Sequence, residues 1–165
     1  MKYNVLIIGY GSIGKRHHHI LKDFKEVESI YVLTKQKLSN SIKRIDQALK
    51  LNINYIIISS ETHKHFKQLI WIDKNFKNIK VLIEKPLFSK YHKIQFNNNK
   101  YFVGYNMRFN PMIAKLKKII KIKNIWNVNI ICSSFLPSWK SRSYIKSYNS
   151  KKSTGGGVLL DLSHE

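Results

Sequence analysis

The sequence has almost no cysteine and no long apolar run. Its single cysteine, Cys132, excludes an internal disulfide framework and suits a reducing compartment, so we expect a cytoplasmic protein. No apolar run approaches the roughly 20 residues that a membrane-spanning helix needs. The first such run, Val5–Ile8, is also shorter than the apolar core of a signal peptide, which has about 7–15 residues. The sequence therefore predicts neither a disulfide-stabilised secreted fold nor a membrane protein.

Acidic residues are scarce as well: nine Asp and Glu residues face 30 Lys and Arg residues, and the formal net charge is +21. Such an excess would suit a nucleic-acid-binding protein. However, only four of the basic residues are arginines, which nucleic-acid surfaces favour for bidentate and stacking contacts. The lysines are spread along the whole chain. We therefore interpret them as a solvated surface and expect no specific nucleic-acid partner.

What the chain does contain is typical of a globular protein: 165 residues, of which 43% are hydrophobic and 12% aromatic. We predict strands at Lys2–Ile8, Ser29–Leu33, Tyr55–Ile58, Ile79–Ile83 and Tyr101–Tyr105, and helices at Ser12–Phe24, Asp46–Leu51, His63–Ile70 and Met112–Lys121. Strands that alternate with helices predict an α/β fold with a doubly wound parallel sheet of the Rossmann type. A further strand at Asn124–Ser134 would begin a second sheet.

The segment Gly9-Tyr10-Gly11-Ser12-Ile13-Gly14 follows the first predicted strand directly and opens the first predicted helix. That context is what makes a G-x-G-x-x-G pattern indicate a dinucleotide-binding turn. The first glycine permits the tight turn, the second lets a diphosphate approach the backbone, and the third lets the helix pack closely on the strand. Free N–H groups of the first helical turn would face the phosphates. We therefore assign cofactor binding to Gly9, Gly11, Ser12, Ile13 and Gly14.

Ligands of doubly wound sheets bind at the carboxyl ends of the strands. By that rule the glycine segment, Thr34, Ser59–Thr62 and Glu84-Lys85 should lie along one edge of the sheet. An acidic residue after the second strand would bind the ribose 2′-hydroxyl of NAD, but the sequence has Thr34-Lys35-Gln36-Lys37 there. A hydroxyl beside ammonium groups suits a 2′-phosphate, so Thr34 and Lys35 favour NADP, with NAD as the alternative.

Three residues carry the candidate chemistry. Lys85, at the carboxyl end of a strand, could polarise or deprotonate a substrate hydroxyl; the alternative is a surface ion pair with Glu84. Asp161 and His164 are three residues apart and would share a helix face, as an acid–base couple does. The sequence predicts no metal site, because the adjacent histidines His17–His19 would point about 100° apart on a helix.

Five landmarks taken in order resemble the Gfo/Idh/MocA oxidoreductase family, the relatives of glucose–fructose oxidoreductase and inositol dehydrogenase. They are Gly9–Gly14 with Arg16-His17, Ser59–Thr62 followed by His65, Glu84-Lys85-Pro86, Gly104–Pro111 and Gly155–His164. The resemblance covers almost the whole chain. It implies an NAD(P)-dependent oxidoreductase that transfers a hydride between nicotinamide and a sugar-type hydroxyl or carbonyl.

The resemblance also implies roles for individual residues. Lys85 would contact the substrate near the nicotinamide, His164 would accept the proton when a hydroxyl is oxidised, and Asp161 would orient them. The cofactor-binding set would extend to Ser59, Ser60, Thr62, His65, Glu84, Lys85 and Arg108. The substrate implied by the resemblance is a carbohydrate or nucleotide sugar. The short connection after Pro86 and the Leu136–Trp139 loop look most like those of members in bacterial nucleotide-sugar and surface-glycan pathways.

The chain also departs from the family pattern. Glu61 stands where members commonly have proline, the segment between Pro86 and Tyr101 is short, and many members space the late Asp and His by four. Members also continue well beyond this length. We therefore predict a Rossmann domain at residues 1–105 and the start of an incomplete α+β domain at residues 106–165. The alternative function is a catalytically incomplete nucleotide-binding fragment, from gene splitting, decay or truncation. A homo-oligomer or a missing C-terminal half is the expected partner.

Overall fold

The computed structural model describes residues 2–120, 124–139, 144–154 and 156–162. The chain divides into two compact units, residues 1–104 and residues 105–165. None of the helices in the described ranges is long and apolar enough to cross a bilayer.

The first unit is built on a six-stranded parallel sheet. Its strands are β1 (Tyr3–Ile8), β2 (Val27–Leu33), β3 (Ser41–Ile42), β4 (Tyr55–Ile58), β5 (Lys80–Ile83) and β6 (Lys100–Val103). Their order across the sheet is β3-β2-β1-β4-β5-β6, and every neighbouring pair is parallel. The order runs outward in both directions from β1 and β4, which confirms the predicted doubly wound sheet.

Helices connect these strands. α1 (Ser12–Leu21) follows β1, a 3-10 helix (Ile45–Lys50) precedes β4, and α2 (Thr62–Asn75) joins β4 to β5. The first helix was predicted to reach Phe24 but ends at Leu21, and Asp23 and Phe24 form turns that bond back to Ile20 and Leu21. The prediction also missed β3, because two residues are too few to show an alternating pattern.

The core lies on both faces of the sheet. Successive strand residues point to opposite faces, so Leu6 and Ile8 of β1 pack in the larger core with Leu69 and Ile72 of α2. Val5 and Ile7, the intervening residues, pack with Ile57 in a smaller cluster on the opposite face. This two-sided burial explains why the central strands read as continuous apolar runs.

The second unit contains α3 (Pro111–Ile119), α4 (Val158–Leu162) and short 3-10 helices at Asn106–Phe109, Leu136–Trp139, Tyr144–Lys146, Tyr148–Ser150 and Lys152–Thr154. The predicted start of α3 is confirmed. The side chain of Asn110 accepts a hydrogen bond from the backbone N–H of Met112 at 2.8 Å, and Pro111 is the first helical residue.

The strand predicted at Asn124–Ser134 is wrong: all of these residues are described, and none of them is in a strand. Its apolar positions are exposed, with Trp126 at 100% and Ile131 at 93% of full exposure. A strand is stabilised by hydrogen bonds to a neighbouring strand, and this stretch pairs with none in the described part of the chain. An apolar pattern alone therefore does not make a strand.

Candidate functional site

The carboxyl ends of β1, β2, β4 and β5 lie side by side. Ile8 at the end of β1 is in register with Leu33 of β2 and Ile58 of β4, and Ile58 is in register with Ile83 of β5. The next residues continue the pairing, since Ser59 N–H donates to Ile8 O at 2.8 Å and Glu84 N–H donates to Ile58 O at 2.9 Å. The loops that begin at Gly9, Thr34, Ser59 and Glu84 therefore share one edge of the sheet.

The three glycines of the first loop have different surroundings. Gly9 has φ +96°, and a Cβ there would lie 2.7 Å from the backbone nitrogen of Ser60. A Cβ on Gly14 would lie 2.2 Å from the carbonyl oxygen of Gly9. A Cβ on Gly11 would meet no heavy atom within 4 Å. The fold itself thus requires the first and third glycines, whereas the second borders open space at the start of α1.

This open space lies at the start of a helix that has no side-chain cap. Gly11 is the N-cap residue of α1 and offers no side-chain cap to the first N–H groups of the helix. Ser12 and Ile13 form the first turn and are exposed. Uncapped N–H groups at a helix N-terminus attract anions, because they are unpaired donors at the positive end of the helix dipole. A glycine beside them leaves the backbone accessible to the anion.

The loop after β4 supports the glycine loop. The Ser59 hydroxyl donates to the carbonyl oxygen of Gly9 at 2.9 Å, and the Ser60 hydroxyl donates to Oε1 of Gln68 at 2.7 Å. Thr62 begins α2 and is only 3% exposed. Ser59 thus holds the ends of β1 and β4 together, and Ser60 connects the same loop with α2.

The loop after β2 is held by a lysine that sequence reasoning missed. The Nζ of Lys43 donates to the carbonyl oxygens of Gln36 at 2.7 Å and Thr34 at 3.2 Å. Gln36 in turn donates to the carbonyl oxygen of Tyr10 at 3.2 Å, which joins this loop to the glycine loop. Thr34 and Lys35 therefore belong to a segment carrying several ammonium groups.

Lys43 reaches this position through β3. Thr34 N–H donates to Ile42 O at 3.1 Å, so the end of β3 lies against the end of β2. The sequence could have indicated that Lys43 lies beside Thr34 only if β3 had been predicted. Its two residues are too few to show an alternating pattern.

The loop after β5 contains Glu84, Lys85 and Pro86, and the Lys85–Pro86 peptide bond is cis. Glu84 and Lys85 are both half-buried. The carboxylate of Glu84 contacts Nε2 of His17 in α1 at 2.7 Å. A Cβ on Gly104 would lie 3.4 Å from the same carboxylate, which is therefore packed against the end of β6. Glu84 thus connects β5 with the helix that follows the glycine loop.

His65 lies beneath the loops after β4 and β5. Its ring is 1% exposed, with Nε2 3.0 Å from the carbonyl oxygen of Ser60 and Nδ1 3.1 Å from that of Leu87. Burial lowers the pKa of His65 below its ordinary value, although hydrogen bonds to these carbonyls and the charge of Glu84 act to raise it. Burial thus favours the neutral ring, which carries one N–H and donates to one of the two carbonyls at a time.

The remaining predicted site residues belong to the second unit. Arg108 is exposed in the 3-10 helix Asn106–Phe109, with its guanidinium carbon 5.9 Å from the ring centroid of Phe109. Asp161 falls within α4, but its side chain lies outside the described part of the structure, and so does the whole of His164. Among the described residues, no cluster of His, Cys, Asp or Glu could hold a metal ion.

The parallel sheet, its strand order and its glycine loop together define a protein of the dinucleotide-binding Rossmann class. The profile of a family described as "Oxidoreductase family, NAD-binding Rossmann fold" (GFO_IDH_MocA) matches residues 3–97. The chain therefore belongs to this oxidoreductase family, as its landmarks predict. No sequence among the curated proteins matches it.

Solved structures share the fold at low sequence identity. Myo-inositol 2-dehydrogenase from Lactobacillus plantarum is 19% identical, with a TM-score of 0.64, over 78% of this chain and 43% of its own. The WlbA dehydrogenase from Chromobacterium violaceum, solved with NADH and UDP-GlcNAcA, is 18% identical, with a TM-score of 0.61, over 74% and 40%. An NAD-binding protein from Listeria innocua is 18% identical, with a TM-score of 0.66, over 99% and 52%. This chain thus spans about half the length of these proteins or less.

Proposed function

We propose that this chain binds NADP or NAD at the shared strand edge and provides the cofactor half of a hydride-transfer enzyme. The observation that carries the proposal is the contrast among the glycines. Gly9 and Gly14 are enclosed by backbone, whereas Gly11 borders open space beside the uncapped start of α1. Membership of an NAD-binding oxidoreductase family supports the same assignment. When bound, the nicotinamide would accept or supply the hydride.

The substrate in this proposal is a polyhydroxylated compound, a cyclitol, sugar or nucleotide sugar. Support comes from the inositol dehydrogenase and the UDP-GlcNAcA-bound dehydrogenase that share the fold. Lys85 stands at the end of β5, beside the loops that would hold the cofactor, where an ammonium group can stabilise a developing alkoxide or exchange a proton with it. We assign the second proton-handling role to His164 and its orientation to Asp161.

Turnover is the direct test of this role for Lys85. The chain is mixed with NAD or NADP and a panel of cyclitols, sugars and UDP-sugars, and reduced nicotinamide is followed by absorbance. Lys85→Ala should lower substrate-dependent reduction by about 100-fold, the lower range for loss of a general acid or base. Lys90→Ala, an exposed lysine on the same loop, should retain the parent rate.

Binding without turnover would favour the alternative function, a nucleotide-binding chain that does not catalyse the reaction. The solved relatives are about twice as long, which is the observation that keeps this alternative open. Equal rates for Lys85→Ala and the parent would contradict the catalytic assignment of Lys85.

Cofactor preference follows from the loop after β2. We expect NADPH to bind about tenfold more tightly than NADH, because a 2′-phosphate would pair with ammonium groups beside Thr34. Thr34→Asp should reverse this order. The new carboxylate would repel the 2′-phosphate of NADPH and accept a hydrogen bond from the ribose 2′-hydroxyl of NADH. Lys43→Met should weaken NADPH binding more than NADH binding, because it removes a positive charge that only the 2′-phosphate would meet, together with the hydrogen bonds that hold the loop for both cofactors.

Fluorescence titration of both cofactors at low salt measures this preference. Lys50→Met, an exposed lysine of the nearby 3-10 helix, is the matched control and should bind both cofactors as the parent does. Equal affinities of the parent for NADH and NADPH would refute the assignment of Thr34 and Lys35 to a 2′-phosphate site.

A further inference from the structure

Lys85 is bracketed along the chain by two residues that histidines hold in place. On one side, Glu84 Oε1 is 2.7 Å from Nε2 of His17. On the other side, the carbonyl oxygen of Leu87 is 3.1 Å from Nδ1 of His65. The two histidines come from different helices, α1 and α2. Each of these helices begins at a loop of the proposed cofactor site.

His17 connects Lys85 with the glycine loop. It lies in α1, whose first turn we assign to the diphosphate, and its partner Glu84 immediately precedes Lys85. Both side chains are largely shielded from water, with 23% exposure for His17 and 19% for Glu84. The contact joins two elements that are 67 residues apart in the chain, and its partial burial limits the access of water to it.

His65 connects Lys85 with the loop after β4. Its second nitrogen lies 3.0 Å from the carbonyl oxygen of Ser60, so one buried ring spans the loops after β4 and β5. The ring is 1% exposed, and water therefore has little access to replace either contact. A side chain with a single polar end could not reach both carbonyls in this way.

We infer that His17 and His65 are positioning residues for Lys85, and that they make its placement depend on a dinucleotide seated on the glycine and Ser60 loops. The inference rests on the proposed function, because it requires a cofactor at that edge. Neither histidine needs to touch the cofactor or the substrate. Their effect is to hold the backbone and the carboxylate on the two sides of Lys85.

The test is trace acetylation of the lysines with acetic anhydride, with and without saturating NADPH, followed by mass spectrometry of the peptide that contains Lys85. In the parent, NADPH should lower the labelling of Lys85. His17→Gln and His65→Gln should each reduce this protection by about fivefold, the effect of one hydrogen bond of about 1 kcal/mol. A variant that is only less stable would lose protection at all lysines alike, with and without NADPH.

Matched controls exist on both helices. His19 in α1 and His63 in α2 are exposed, and His19→Gln and His63→Gln should protect Lys85 as the parent does. Glu84→Ala should reproduce the effect of His17→Gln, and combining the two changes should add nothing further, as expected for two partners of one contact. Because His17 is only half-buried, this arm remains informative even if His65→Gln folds poorly.

The outcomes separate the two levels of the proposal. Binding of NADPH with unchanged protection of Lys85 in His17→Gln would overturn the positioning role of His17, and the same result in folded His65→Gln would overturn that of His65. Additive losses in the His17→Gln and Glu84→Ala combination would also contradict it. Failure of the parent to bind NADPH or NADH would overturn the proposed function, and the inference with it.

Discussion

Gly11→Val is expected to weaken NADH and NADPH binding by about 100-fold or more while the protein still folds. A Cβ at Gly11 would meet no heavy atom within 4 Å, and its φ of −76° and ψ of −163° are accessible to any residue. The valine side chain would instead occupy the space that we assign to the diphosphate. Fluorescence titration measures the affinity, and circular dichroism measures the melting curve.

The control for this change is His19→Val, which adds valine to an exposed position on the same helix and should leave cofactor binding unchanged. Valine at an N-cap is less favourable than glycine, so Gly11→Val should lower the free energy of unfolding by about 1 kcal/mol at most. Parental affinity in Gly11→Val would show that the diphosphate does not bind there. Loss of folding would contradict the open surroundings of Gly11.

Gly14→Ala, unlike Gly11→Val, should affect folding and lower the free energy of unfolding by about 3 kcal/mol. In an exposed helix interior the same change stabilises by about 1 kcal/mol, because alanine has the higher helix propensity. Here the new Cβ would lie 2.2 Å from the carbonyl oxygen of Gly9. That neighbour is backbone, so no rotamer change relieves the clash, and α1 must move away from β1.

Chemical denaturation of Gly14→Ala measures the loss of stability. His19→Ala, on the exposed side of α1, is the matched control and should unfold within about 0.5 kcal/mol of the parent, as surface substitutions usually do. A Gly14→Ala protein as stable as the parent would show that α1 does not approach the carbonyl oxygen of Gly9 this closely.

The strands and the glycine loop could be predicted because their signals are local. β4 was predicted with its exact bounds, Tyr55–Ile58, since a continuous apolar run is what burial on both faces requires. The start of α3 could be read from Asn110 and Pro111 for the same reason: a cap and the residues it serves are neighbours in sequence. The strand at Asn124–Ser134 failed because a strand also depends on a distant partner.

The candidate site divides in the same way. The shared edge of the loops from Gly9 to Lys85 could be predicted, because the carboxyl ends of parallel strands meet at one edge of the sheet. The contact of His17 with Glu84, 67 residues apart, has no local pattern to reveal it. The same holds for Lys43, which reaches Thr34 only through the short strand β3.

By itself the sequence determined that this protein has a doubly wound parallel sheet with a G-x-G-x-x-G turn after its first strand. Hydrophobic periodicity and glycine placement are properties of neighbouring residues, so they can be read without knowledge of the fold. Only the tertiary structure decided which glycines the fold needs and which borders open space, because that depends on the approach of Ser60 and on how α1 packs. It also decided that His17 contacts Glu84 and that His65 contacts the carbonyl of Leu87, since the packing of helices on the sheet brings together residues that are far apart in the chain.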